Sequence, residues 1–161
     1  MKLNATVIFL LLFAVGMVQA QVCNNYHREK KFCPPSKDGF VYNGQSRSAY
    51  FYRGQTSELN VIFHNKQDYR VSFCLEETLG DRIEFKIKDG KTGELLYNNA
   101  DEDYTTTFEF RCESTRRLAF DITIPEEGDG GGGGKLKKLK ATTAGCIGVL
   151  IEHMTTQRSG F

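Results

Sequence analysis

Arg82-Ile83-Glu84-Phe85-Lys86-Ile87-Lys88 alternates charged and apolar side chains without a break. Successive side chains of a β-strand point to opposite faces, so Ile83, Phe85 and Ile87 share one side and the charged residues share the other. This pattern predicts a half-buried antiparallel strand. The same period of two places Leu59, Val61 and Phe63 together, then Tyr69, Val71 and Phe73, then Phe108 and Phe110, then Leu118, Phe120, Ile122 and Ile124. A last strand is expected over 146–153. Asn65-Lys66-Gln67-Asp68 separates two of these runs, Gly80 lies in another separator, and Asp89-Gly90-Lys91-Thr92-Gly93 carries the Asp-Gly hairpin signal that tolerates positive φ. No amphipathic helical stretch is long enough for a parallel crossover, so the expected fold is all-β: a single antiparallel β-sandwich of about eight strands. Its strand faces supply apolar side chains worth about 1.5 to 3 kcal/mol each when fully buried, enough for independent stability.

The N-terminus reads as an export signal. Lys2 precedes an apolar stretch over 7–15, and Val18-Gln19-Ala20 offers compact residues for a signal peptidase, with cleavage expected between Ala20 and Gln21. The stretch is shorter than the about 20 apolar residues a membrane span needs. Cys23 does not stand at a lipoprotein acylation position. The organisation expected is a signal peptide over 1–20, an irregular Cys-containing segment over 21–38 with Pro34-Pro35, and a sandwich domain over 39–161. Within that domain, 126–140 contains five consecutive glycines followed by a lysine-rich run. Polyglycine holds no preferred conformation, so a flexible, dispensable connection is expected there. Removing Lys2 with the signal leaves 21 − 1 = 20 basic against 20 acidic side chains. A neutral chain offers nucleic acid or an anionic membrane no net attraction. The mature protein is expected to be secreted or periplasmic.

All five cysteines, Cys23, Cys33, Cys74, Cys112 and Cys146, follow the signal, and an oxidising compartment makes disulfides the default. An odd number leaves one thiol over. The favoured pairing joins Cys23 to Cys33 across the short irregular segment and pairs two of the other three; which two stays open.

Sites with chemical signatures are scarce. A phosphate-cradling loop ending at Lys135 requires Gly at 129 and a hydroxyl residue at 136, where Asp129 and Leu136 stand. Asn99, Asp101 and Asp103 alternate like calcium ligands, but Tyr104 replaces the turn glycine and Phe110 the bidentate glutamate, which excludes an EF-hand and leaves a looser calcium site as the weak metal candidate. His27, His64 and His153 lie far apart, each without a neighbouring second ligand for zinc; His153 falls on the alternating face of Ile147, Val149 and Ile151. Neither a nucleophile elbow nor a zinc-protease helix occurs. Of the tyrosines, Tyr42, Tyr50 and Tyr52 are the candidates for an exposed aromatic platform, although Tyr also packs within sheets.

Three segments carry a resemblance: Tyr69-Arg70-Val71-Ser72-Phe73-Cys74; Phe85-Lys86-Ile87 leading to Leu95-Leu96-Tyr97-Asn98; and Gly145-Cys146-Ile147-Gly148-Val149-Leu150-Ile151. Together they resemble a group of exported bacterial proteins of Bacteroidetes type with a compact, GOLD-like β-sandwich. The resemblance implies export and all-β architecture and brings no catalytic residues with it. The function expected is a non-enzymatic exported binding or envelope-associated module, without an obligate cofactor, whose partner is an envelope or extracellular protein or a glycan. The alternative is a secreted hydrolase, for example a glycoside hydrolase, of unrecognised type.

Overall fold

The computed structural model describes residues 23–126 and 143–155. The signal peptide over 1–20 and nearly all of the 126–140 loop lie outside the described residues. Nine strands are present among the described residues: β1 (Val41–Tyr42), β2 (Arg47–Tyr52), β3 (Thr56–Phe63), β4 (Gln67–Leu75), β5 (Glu84–Asp89), β6 (Leu95–Asn98), β7 (Thr107–Cys112), β8 (Arg116–Thr123) and β9 (Ala144–Thr155). They form two antiparallel sheets. The first runs β1-β9-β4-β7, with β2 also paired to β9; the second runs β3-β8-β5-β6. β1 pairs with β9 at His153 and Glu152, and β2 pairs with it from Val149 to Ala144, so both lie along one margin of the first sheet.

The alternating residues meet between the sheets as expected. Val61, Phe63, Phe85, Ile87, Leu118, Phe120 and Ile122 from the second sheet pack against Tyr69, Val71, Phe73, Ile147, Val149 and Ile151 from the first. The Phe73 and Phe85 rings stack with centroids 4.1 Å apart. The 65–68 separator does more than turn the chain, because it carries it from one sheet to the other. Lys66 adopts φ +60° there, while Tyr69 Oη accepts the His64 main-chain N–H (2.9 Å) and donates to Gln67 (2.7 Å).

Two local expectations are corrected. The strand begins at Glu84, because the Ile83 carbonyl is taken by the Asn99 amide instead of a strand neighbour. In the β5–β6 hairpin the positive φ falls on Gly93 (+74°), not on Gly90. Asp89 Oδ1 accepts the N–H groups of Lys91 (2.8 Å) and Thr92 (3.0 Å), which builds the turn one step later and holds the Asp89 carboxyl below its usual range.

The favoured cysteine pairing is also corrected. Cys23 bonds to Cys146 and Cys33 to Cys74, with Cα separations of 5.4 and 5.3 Å. The N-terminal segment lies across the outer face of the first sheet and each of its cysteines reaches a strand cysteine on that face. Beneath it Tyr26, the four bridged cysteines and Leu150 form a second apolar cluster. Covered on both faces, β9 is buried from Gly145 through Glu152, so its outer residues escape the polar half of the alternation. The buried Glu152 carboxylate accepts the Ser36 N–H (3.1 and 3.2 Å). Cys112 is the free cysteine among the described residues; it is buried, contacts the Ser114 carbonyl (3.1 Å), and burial raises its thiol pKa.

Candidate functional site

The margin formed by β1, β2 and the N-terminal segment gathers exposed aromatic and hydrogen-bonding side chains. Tyr42 on β1 and Tyr50 and Tyr52 on β2 are 40%, 43% and 52% exposed. Aromatic surface left to water at that level is available for binding. Tyr50 and Tyr52 meet edge to face at 5.6 Å, and the Arg28 guanidinium lies 4.5 Å above the Tyr42 ring. Tyr69, by contrast, is fully buried, Tyr97 is half-buried against Phe85 and Phe108, and Tyr104 lies beneath Arg82.

Beside Tyr42 and Tyr50 opens a cleft of about 410 Å³, lined also by Asn24, Asn25, His27 and Arg47. The 3-10 turn Tyr26–Arg28 places the buried His27 ring at its floor. Ser48 Oγ accepts the His27 main-chain N–H (2.9 Å) and lies 2.7 Å from Nδ1; Nε2 lies 3.2 Å from Tyr42 Oη. The Ser48 hydroxyl has a second lone pair as well as its proton, and the Tyr42 hydroxyl can donate or accept, so both ring nitrogens have a partner in either neutral tautomer. Burial, followed by the charges of Arg28 and Arg47, lowers the His27 pKa and keeps the ring neutral. A hydroxyl beside an imidazole suggests a nucleophile and its base. Here Nε2 faces a phenol instead of an orienting carboxylate, and the hydroxyl is already committed to the main chain of the same histidine. The contact works as a latch that holds the N-terminal segment on β2.

The calcium candidates are not brought together. Asn99 is fully buried: its Oδ1 accepts the Phe85 N–H (2.8 Å) and its Nδ2 donates to the carbonyls of Ile83 (2.9 Å) and Thr105 (3.0 Å). Asp101 and Asp103 stand exposed in the turn that follows. A buried amide oxygen that already receives a main-chain N–H is a structural brace, and among the described residues no group of three or more His, Cys, Asp or Glu has a metal-binding arrangement.

The sequence offered the three tyrosines only as candidates for exposure and weighed His27 only as a zinc ligand; it did not single out Ser48 or the cleft asparagines. Their proximity follows from the Cys23–Cys146 bridge and the fit of the turn over Gly148, where an added Cβ would stand 2.9 Å from His27 Cα. Neither relation leaves a local motif.

The chain matches no protein-family model and no curated protein. Among solved structures it is similar to the crystal structure of Aeromonas hydrophila PliG, a periplasmic lysozyme inhibitor of g-type lysozyme. The identity is 8% and the TM-score 0.46, over 74% of this chain and 92% of that chain.

Proposed function

We propose that this protein is an exported, non-enzymatic binding module whose binding surface is the β1–β2 margin. One observation carries the reading: three exposed tyrosines share that margin with a cleft whose lining offers amides, hydroxyls and an arginine. Aromatic faces supply contact area at low conformational cost, and the surrounding polar groups give orientation. A hydrolase is less well supported. The cleft lining holds no carboxylate among the described residues, and its single imidazole is occupied at both nitrogens. Export is supported by the leader sequence together with the two disulfides, which persist in oxidising compartments.

The test is binding of solubilised envelope proteins and a panel of soluble polysaccharides to immobilised mature protein, wild type beside the Tyr50→Ala/Tyr52→Ala variant, which leaves the Tyr42 partner of His27 in place. We expect saturable binding by at least one class and a loss of at least tenfold in the variant, at an unchanged melting temperature. Absence of binding by the wild type, or equal binding by both proteins, would overturn the assignment of this surface.

A further inference from the structure

The same margin contains an open strand edge, and resting on the reading above we infer that its occupant is an extended peptide segment of a partner protein, added as a further strand beside β2. Arg53 donates its N–H to the Thr143 carbonyl (3.1 Å), one step beyond the Tyr52–Ala144 pair of the ladder. Main-chain groups of an antiparallel strand alternate in direction. The groups of Arg47, Ala49 and Phe51 therefore face β9, and those of Ser48, Tyr50 and Tyr52 face outward. Flanking parts of this side of the sandwich are blocked, although the outward main-chain groups of Glu58 and Asn60 on β3 also keep no partner among the described residues. Gln55 Oε1 takes the outward N–H of Tyr52 (3.0 Å), and on β3 the Gln45 amide takes both the N–H (2.9 Å) and the carbonyl (2.7 Å) of Ile62. Ser48 and Tyr50 keep their outward main-chain groups without a partner among the described residues.

A row of free main-chain groups is a template for another strand. What makes this one selective is a cavity on each face. Ser48 and Tyr50 point to the outer face and its 410 Å³ polar cleft; Ala49 and Phe51 point inward, where a smaller cavity of about 120 Å³ opens between the sheets. That inner cavity is walled by Phe51, Leu59, Ile122, Ile147 and Val149, with Ser57 and Glu58 also in its lining, and it shares Arg47, Ser48 and Ala49 with the outer cleft. Side chains of an added strand alternate between the same two faces. One set would enter the outer cleft, which has Arg28 beside it and no carboxylate in its lining; the other would enter the gap between the sheets, whose wall is mainly aliphatic and aromatic. The partner segment accordingly alternates acidic or polar residues with aliphatic ones.

The probe is an immobilised library of ten-residue peptides with Asp or Glu at odd positions and Val, Leu or Ile at even positions, set against a block library of identical composition. Mature protein should bind alternating members selectively. Tyr50→Pro removes the outward N–H without touching the β9 ladder, whereas Tyr50→Ala removes only the ring. We expect the proline variant to bind at least tenfold more weakly than the alanine variant. Because proline can disturb folding, the best peptide is also N-methylated at each position in turn against wild-type protein, and alternate positions should abolish binding. Equal binding of both libraries, no binding of either, or no effect of N-methylation overturns strand addition. Sedimentation of the free protein as a dimer that Tyr50→Pro dissociates would assign the edge to a second copy and also overturn it. Loss of envelope or polysaccharide binding in the tyrosine-to-alanine variant alongside any of these results would leave the binding surface standing without the strand.

Discussion

What a polar side chain can do is set by what already competes for its atoms. Asn99 stands in a run that reads as calcium ligands, yet all of its hydrogen-bonding capacity toward the interior is spent on the main chain of Ile83, Phe85 and Thr105. Replacing it with Ala would strand one buried N–H and deprive two carbonyls of their donor. Unsatisfied buried groups cost about 1 to 3 kcal/mol each, so Asn99→Ala should destabilise the protein by about 3 kcal/mol or more in urea unfolding. Asp101→Ala, at an exposed position, should shift stability by no more than about 0.5 kcal/mol. Similar small losses for both variants would mean that Asn99 is not the brace described.

At the scale of elements, the N-terminal segment is a strap over β9, held by two disulfides, by contact with Gly148 and by the His27–Ser48 latch. The latch has a pH dependence whose sign is fixed by burial. His27 has a folded pKa below its unfolded value of about 6.5, so the unfolded chain binds the proton more readily. Its contribution is therefore fully present above about pH 6.5 and is lost as pH falls through the lowered folded value. Protonation would make donors of both ring nitrogens, so neither could accept from Ser48 or Tyr42. Between pH 7 and pH 5, wild type should lose more stability than His27→Gln, which keeps a polar side chain that does not titrate there. Parallel pH profiles from denaturant unfolding would show that the latch does not report protonation.

Across the whole molecule, consecutive strands seldom pair. β5 and β6 form a hairpin, but the chain changes sheet between β2 and β3, β3 and β4, β4 and β5, β6 and β7, β7 and β8, and β8 and β9. Contacts are therefore mostly distant in sequence, and closing such loops is entropically costly. The bridges reduce that cost from the unfolded side: Cys23–Cys146 spans 123 positions and Cys33–Cys74 spans 41. At about 2 to 4 kcal/mol for a disulfide of this kind, reductant should lower the melting temperature by about 10 °C or more. Nonreducing peptide mapping should recover those two pairs, with Cys112 alkylated only after denaturation. A Cys23–Cys33 peptide in the native protein would contradict the strap arrangement.

The sequence by itself determined the two-residue periodicity, hence the strands, their core faces and the all-β class. Side-chain alternation is a local property of extended backbone that any folded context must respect. It also determined that five cysteines leave one unpaired, and it selected Tyr42, Tyr50 and Tyr52 as candidates for exposure. Only the tertiary structure decided which strands are neighbours, since alternation specifies a face and not a partner. It likewise decided that Cys23 reaches Cys146 and not nearby Cys33, because both bridges depend on the N-terminal segment crossing the outer face of β4 and β9. That crossing buries the second face of β9 and brings His27 to Ser48, and it forms the cleft beside the open edge of β2. Such relations join residues distant along the chain through packing, which leaves no spacing in the sequence to read.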